Sequence, residues 1–430
     1  MSAPRLTDSP LGIQRIWKRI DERVRFGIKP GLQRMERLLE LLNNPERQFR
    51  VIHVAGTNGK GTLCSFVEQG LRQAGLRTGL YTSPHLLSPL ERILVDGQPL
   101  DELALAVAWH RLEPLIDQVQ PSYFELLTAL ALLAFRNAGV ELAVVECGLG
   151  GRWDATNVLN SELAVLTSVG LDHTAILGDS LAAIARDKAG IARPACPFLL
   201  GELEAEARDA ALEVANSRGA VAVTPEEDHP LLRYQPADGE GRVCITDGDL
   251  AMELDHPSRG ALFAAGMALR ILRRLPEARF LREGIHLRPA PLPGRFQVLH
   301  NAPPLVLDVA HNPAAITLLA KDLNQHWPNT RWTLIFAAMA DKDYRTILRI
   351  LAPRVASMRP LVLSHARLAS PEDLLEAGRA AGIRCGRPLG RAGLAARRLD
   401  TPHEPTLVCG SFLTVAAWLG ANDRNLPPGL

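Results

Sequence analysis

Val51-Ile-His-Val-Ala-Gly-Thr-Asn-Gly-Lys-Gly-Thr62 is the stretch that decides the fold. A β-branched run passes straight into a glycine-rich turn with a lysine, and an amphipathic segment follows. This is the pattern of a phosphate cradle. Gly56, Gly59 and Gly61 let the backbone turn tightly and bring its N–H groups close to an anion. The N-terminus of the following helix adds partial positive charge. Lys60 adds a full charge, and Thr62 a hydroxyl suited to Mg²⁺. The spacing departs from GxxxxGK[ST]: only two residues separate Gly56 from Gly59, and Gly61 stands between Lys60 and Thr62. Glycine-rich turns also serve packing alone, but a lysine followed by a hydroxyl residue at a helix start favours an anion site.

Outward from that turn, helix and strand patterns alternate. The segment 61–74 places Leu63, Phe66, Val67 and Leu71 on one helical face and stops at Gly75. Thr78–Tyr81 reads as a short strand. Leu100–Gln118 and Tyr123–Asn137 read as helices. Leu142–Glu146 and Leu163–Ser168 are continuous apolar runs, as expected of strands covered on both faces. Ser180 fits the N-cap of a helix ending near Pro194. From Thr224 to Leu254 the pieces are short, polar and β-leaning, and a helical stretch follows from Gly260 to Leu275. Pro289-Ala-Pro-Leu-Pro-Gly294 reads as a linker. Beyond it, strands are expected at Leu305–Val309, Trp332–Ala337, Leu361–Ser364 and Thr406–Cys409. The expected fold is α/β: a P-loop domain over residues 1–290 with a mostly parallel sheet, and a smaller Rossmann-like domain over 295–430.

Composition narrows the function. Of 430 residues, 47% are apolar and 22% charged, an ordinary globular balance. A net charge of +1 gives no global basic field for nucleic acid. Arg270, Arg273, Arg274 and Arg391, Arg397, Arg398 read as solvated helix faces. The six cysteines form no CxxC, which leaves zinc and thioredoxin-type chemistry without support and fits a reducing cytosol. The start, MSAPRLTDSP, lacks a signal-peptide pattern. The longest apolar run, Leu126–Phe135, is too short to span a bilayer.

Chemistry-bearing residues recur just after strand ends, where open α/β sheets bind ligands. Glu146 ends its strand and is a candidate Mg²⁺ ligand. Ser83 follows the strand 78–81, and Asp172-His173-Thr174 follows the strand ending near Ser168.

These residues resemble the folylpolyglutamate synthase/dihydrofolate synthase branch of the Mur ligase superfamily. The matching segments are FGIKPGLQR (26–34), HVAGTNGKGT (53–62), YTSPHL (81–86), ERI (91–93), YFE (123–125) and VECGLGGRWDATN (145–157). They continue with LDHTAILGDSLAAIARDKAGI (171–191), LPGRFQ (292–297), DVAHNP (308–313), DKD (341–343) and CGSF (409–412). The resemblance implies a cytoplasmic, monomeric, ATP-dependent ligase. It would join L-glutamate to a folate-type carboxylate, dihydropteroate or a tetrahydrofolate polyglutamate, through an acyl phosphate.

It further implies that Thr57, Asn58, Gly59, Lys60, Gly61 and Thr62 hold the nucleotide phosphates. Ser83 and Glu146 would bind one Mg²⁺, and His173 a second. Lys188 matches a carbamylated lysine, and Arg295 and Asp308 match nucleotide contacts. Ser122, Tyr123, Phe124, Glu125, Trp153 and Asp154 match the pterin end of the substrate, while His311 and Ser411 match segments facing the incoming glutamate. Lys60, His173 and Lys188 are the expected catalytic residues.

The chain departs from the pattern at several positions. Arg259 or Gly260 stands where relatives carry a nucleotide-contacting asparagine. Trp153 replaces a leucine, Ala340 precedes DKD in place of histidine, and Leu413 follows CGSF. Two alternatives stand beside the ligase: a non-catalytic nucleotide-binding protein of the same fold, and an amide ligase with another carboxylate acceptor. A peptidoglycan-precursor ligase is disfavoured, because fewer than sixty residues precede the phosphate loop.

Overall fold

A computed structural model describes residues 10–23, 31–225, 233–236, 242–277, 286–290, 292–390, 393–394 and 403–422. Residues 26–30 of the FGIKPGLQR segment, Pro291 of the linker and Arg391, Arg397 and Arg398 lie outside these. Three sheets organise the described chain. The first has eight strands: β1 (Arg50–Ala55), β2 (Thr78–Tyr81), β3 (Ile93–Val95), β4 (Gln98–Pro99), β5 (Leu142–Glu146), β6 (Leu163–Leu166), β7 (Pro197–Leu200) and β8 (Val221–Val223). Their order is β4-β3-β2-β5-β1-β6-β7-β8; β2, β5, β1, β6, β7 and β8 run parallel, while β3 pairs antiparallel with β2 and β4. Every residue of β2, β5 and β6 is buried, which accounts for their continuous apolar runs.

The second sheet carries β9 (Arg233–Pro236), β10 (Arg242–Asp247), β11 (Leu250–Asp255) and β12 (His286–Leu287) in the order β12-β11-β10-β9. The third carries β13 (Gln297–Asn301), β14 (Pro304–Leu307), β15 (Trp332–Phe336), β16 (Val355–Pro360) and β17 (Thr406–Cys409) in the order β13-β14-β17-β15-β16. It is parallel except for β13 against β14.

Six helices position the site: α1 (Lys60–Gln73), α2 (Tyr123–Ala138), α3 (Leu181–Lys188), α4 (Arg259–Arg274), α5 (Pro313–His326) and α6 (Phe412–Asn422). Helix α1 buries Leu63, Phe66, Val67 and Leu71 against the first sheet, as the periodicity predicts. Helix α3 starts at the Ser180 cap but ends at Lys188, and a 3₁₀ turn continues to Ile191.

Three expectations need correction. The helix expected over Leu100–Gln118 is helical over Glu102–Leu112, then passes through a 3₁₀ turn holding Pro114 to a short helix, Ile116–Val119. Proline lacks the N–H needed to continue the ladder. The strand expected at Leu361–Ser364 is β16, which starts six residues earlier, at Val355, and ends at Pro360. It pairs with β15 and, through Met358, bridges Cys385, and its burial is interrupted, so it shows no continuous apolar stretch. Arg270, read as solvated, is buried, because α4 packs on both α1 and the second sheet.

Candidate active site

The phosphate loop joins β1 to α1. Gly59 caps α1 with φ 82°, a left-handed backbone that favours glycine. A Cβ at Gly56 would fall 1.9 Å from Thr167 Oγ1, so the loop approaches the end of β6 only without a side chain. Thr167 Oγ1 donates to Asn58 O (2.8 Å), Ser168 Oγ accepts from Asn58 N (3.0 Å), and Thr57 N donates to Ser168 O (2.8 Å). These bonds pin the loop and leave α1 presenting its N-terminus. A Cβ at Gly61 would lie 3.3 Å from Glu146 Oε2, so the glycine after the lysine makes room for a carboxylate.

Glu146 ends β5, is buried, and accepts a 2.9 Å hydrogen bond from Ser83 N. Lys60 Nζ lies 3.7 Å from Glu146 Oε1 and 3.4 Å from Thr57 O. Burial pushes the Glu146 carboxyl up, opposed by Lys60 and the Ser83 amide. Lys188 ends α3, is buried, and donates from Nζ to Gly56 O at 3.1 Å. Burial, aided by the charge of Lys60, lowers its pKa to about 8.

Asp172 sits among Lys342, Asn312 and two histidines. Lys342 pairs with its Oδ1, Asn312 Nδ2 donates to Oδ2 (3.2 Å), His311 Nε2 lies 3.8 Å from Oδ2 and His173 Nε2 lies 3.9 Å from Oδ1. Burial alone would raise this carboxyl; Lys342 and the two histidines hold it at about 2. Burial in turn lowers the pKa of His173, which sits at a left-handed turn with φ 51°.

One small cavity, of about 120 Å³, gathers Gly56 to Gly61, Ser83, Glu146, Asp172, His173 and Lys188 from the first sheet with Arg295 and His311 from the third-sheet region. A larger one, of about 490 Å³, adjoins it through Asn58, Gly59, Arg295 and His311, and also takes in Thr62 and Asp308. Arg295 stacks over the Phe412 ring at 5.1 Å. Asp308 is half-buried, and its two oxygens accept from Phe296 N and Ala310 N, each at 2.7 Å.

The residues matched to the pterin end and Ser411 line neither cavity. Ser122 and Glu125 form a reciprocal capping box on α2, and Glu125 pairs with Arg34 at 3.1 Å. Asp154 is buried and accepts from Leu149 N and Thr156 N. Ser411 is buried and bonds Thr414 N and Oγ1 at the start of α6. These polar side chains carry hydrogen bonds within the fold. The aromatic ones are freer: Tyr123 is partly exposed, Phe124 packs 5.9 Å from Tyr81, and Trp153 is 48% exposed with Arg152 stacked at 4.9 Å.

The sequence reading missed Lys342 and Asn312 as site residues. Asn312 caps α5, as an HNP segment can, and also bridges Asn58 and Asp172. The S-x-x-E spacing of Ser122 and Glu125 was a readable capping signal.

The donors suit a divalent ion on nucleotide phosphates. Glu146 and Ser83 offer hard oxygens on neighbouring strand ends. Among the described residues no group of three His, Cys, Asp or Glu side chains is arranged to hold a metal. That fits Mg²⁺, which keeps waters and phosphate oxygens and seldom uses an all-protein cage.

Residues 294–411 match the family profile described as Mur ligase, glutamate ligase domain. The chain is 35% identical over 400 residues to the Escherichia coli dihydrofolate synthase/folylpolyglutamate synthase, covering 90% of each. It superposes with a TM-score of 0.82 on Mycobacterium tuberculosis folylpolyglutamate synthase complexed with ADP, at 28% identity, covering 96% of this chain and 99% of that one. The bifunctional folylpolyglutamate synthase/dihydrofolate synthase of Yersinia pestis, complexed with AMPPNP and Mn ion, matches with a TM-score of 0.79 and 32% identity, covering 98% and 99%.

Proposed function

Because the chain belongs to the dihydrofolate synthase/folylpolyglutamate synthase family of Mur ligases, we propose that it joins L-glutamate to the carboxylate of a folate-type acceptor at the expense of ATP. The observation that carries the reading is the small cavity, where loop amides, Lys60, Glu146, Lys188, His173, Arg295 and His311 converge. An acceptor carboxylate and the γ-phosphate are both anions, so forming an acyl phosphate requires preorganised positive charge. The loop amides, the α1 N-terminus, Lys60 and Arg295 supply it. When bound through Ser83 and Glu146, and through His173, divalent ions screen the phosphate charges further. The glutamate amine then attacks the acyl carbon and phosphate leaves, with His311 on the third-sheet side of the incoming amino acid.

The flat acceptor ring rests on the faces of Tyr123, Phe124 and Trp153. Lys188 is carbamylated: CO₂ adds to the neutral amine and a proton leaves. The modified nitrogen keeps one N–H for Gly56 O. Its negative charge offsets the surplus of cations around the phosphates. Among the described residues no helix is long and apolar enough to cross a membrane, and the six cysteines are free; we place the activity in the cytoplasm, with a monomer.

Glutamate-dependent ADP release, assayed with dihydropteroate and with tetrahydrofolate as acceptors, tests the reading. Release with at least one acceptor is expected. Tight nucleotide binding with no glutamate-dependent release would leave a nucleotide-binding protein in its place.

We also divide the chain into domains at 1–290 and 295–430, with the 289–294 segment as the hinge. The Asp172–Lys342 pair joins the two sides, and both side chains are about nine-tenths buried. Lys342→Ala leaves the carboxylate without its main partner and should favour the open arrangement. A fall of about tenfold in kcat/KM for glutamate, equivalent to ~1.4 kcal/mol, is the expected effect. Small-angle scattering should show the wild type compacting with ATP, Mg²⁺ and folate, and the variant compacting less. A wild-type profile that does not change with ATP, Mg²⁺ and folate would remove the hinge.

A further inference from the structure

The larger cavity is roomy for a nucleoside, and its volume of about 490 Å³ lies in the range of small-molecule sites. With the phosphates at Asn58, Gly59 and Thr62, the rest of the nucleotide fills the space bounded by Phe296, Leu318 and Leu319. These apolar walls can cover the faces of a planar base. They do not choose between bases, which differ at their polar edges.

One buried carboxylate lines this space. Asp322, on α5, is 3% exposed. Its Oδ1 accepts from Arg259 N at 3.1 Å, and Arg259 Nε lies 3.6 Å from the same oxygen. Among the described residues Oδ2 has no hydrogen-bond partner. That oxygen is not sealed off by the protein, so a ligand in the cavity can reach it and supply the donor. Beside it the wall is open: a Cβ at Gly260, next to Arg259, would meet only Ser258 Oγ, at 3.8 Å.

We infer that Asp322 is a specificity-determining residue for the nucleotide, accepting a hydrogen bond through Oδ2 from the exocyclic amine of adenine. The inference rests on the reading of this cavity as the nucleotide site. An ionised carboxylate only accepts, so it matches the 6-amino group and opposes a keto oxygen at that place. Burial and the charge of Asp308 raise the carboxyl to about 6, which leaves it ionised at pH 7.5. Arg259 holds Oδ1 and so aims Oδ2. Arg259 or Gly260 stands where the sequence pattern calls for a nucleotide-contacting asparagine, and the carboxylate beside them comes from the facing helix.

The experiment measures equilibrium binding of ATP, of purine riboside triphosphate (hydrogen in place of the amine) and of 2′-deoxyATP. Wild type, Asp322→Ala and Asp322→Asn are compared at pH 7.5. Wild type should bind ATP about tenfold or more tightly than the purine analogue, the size expected of one charged hydrogen bond. In Asp322→Ala that ratio should collapse toward one, with the ATP to 2′-deoxyATP ratio unchanged. Asp322→Asn keeps an acceptor for Arg259 N and serves if the alanine variant does not fold; its ratio should shrink in part. An equal loss for all three nucleotides would show that Asp322 only clamps α4 and would overturn the inference. So would a collapse confined to the 2′-deoxyATP ratio, which would assign the carboxylate to the ribose. Binding is read without turnover, so a chain that binds ATP with the expected ratio but never releases ADP refutes the ligase reading and leaves this one standing.

Discussion

Lys60→Ala should lower glutamate-dependent ADP release by roughly 10²–10³-fold, the scale for removing one preorganised group from a developing charge. The loop itself should persist, because its shape rests on Thr167, Ser168 and the glycines and not on the lysine. Stability should change in a pH-dependent way. Glu146 is buried, and Lys60 is the largest influence holding its raised pKa down. Without the lysine that pKa rises further above the unfolded value. A carboxyl raised in the folded state contributes stability that is present below its unfolded pKa and is lost as pH rises through the folded one. The drop in Tm caused by Lys60→Ala should therefore be larger at pH 8 than at pH 5. A folded variant with near-normal ADP release would show that the lysine does not act on the transferred phosphoryl group.

Lys188→Ala should be comparably damaging, and its rescue is more informative than its loss. Acetate at high concentration supplies a free carboxylate and should restore part of the activity. Lys188→Arg should stay inactive, because arginine keeps its positive charge and forms no carbamate. With the amine titrating near 8, about a tenth of it is neutral at pH 7 and about half at pH 8. At fixed dissolved CO₂, the ¹³C carbamate signal should grow from pH 7 to pH 9. An active arginine variant, or no ¹³C signal at any pH, would return Lys188 to a buried structural amine bonded to Gly56 O.

Much of this site was readable because it is local. Val51 to Thr62 is one contiguous strand, turn and helix start, and each residue's contribution follows from its neighbours in sequence. The buried parallel strands were readable for the same reason: covered on both faces, β5 and β6 must be apolar throughout. Pattern reading failed at β16, whose burial does not follow a continuous apolar run. Ser122, Glu125 and Ser411 sit in conspicuous motifs, yet their side chains cap helices. The pairings of Asp172 with Lys342 and of Asp322 with Arg259 join separate regions of the chain, and no periodicity reports such contacts.

The Asp172–Lys342 and Asn58–Asn312 contacts span 170 and 254 residues of chain. Closing loops of that length carries an entropic cost that grows only slowly with length, but it must be met before those contacts form. During synthesis the first sheet and its phosphate loop emerge well before Asn312 and Lys342. A nascent chain can thus present an anion cradle while lacking the side of the cavity lined by Arg295 and His311. The order of the elements along the chain delays the ability to spend ATP until the last sheet is in place.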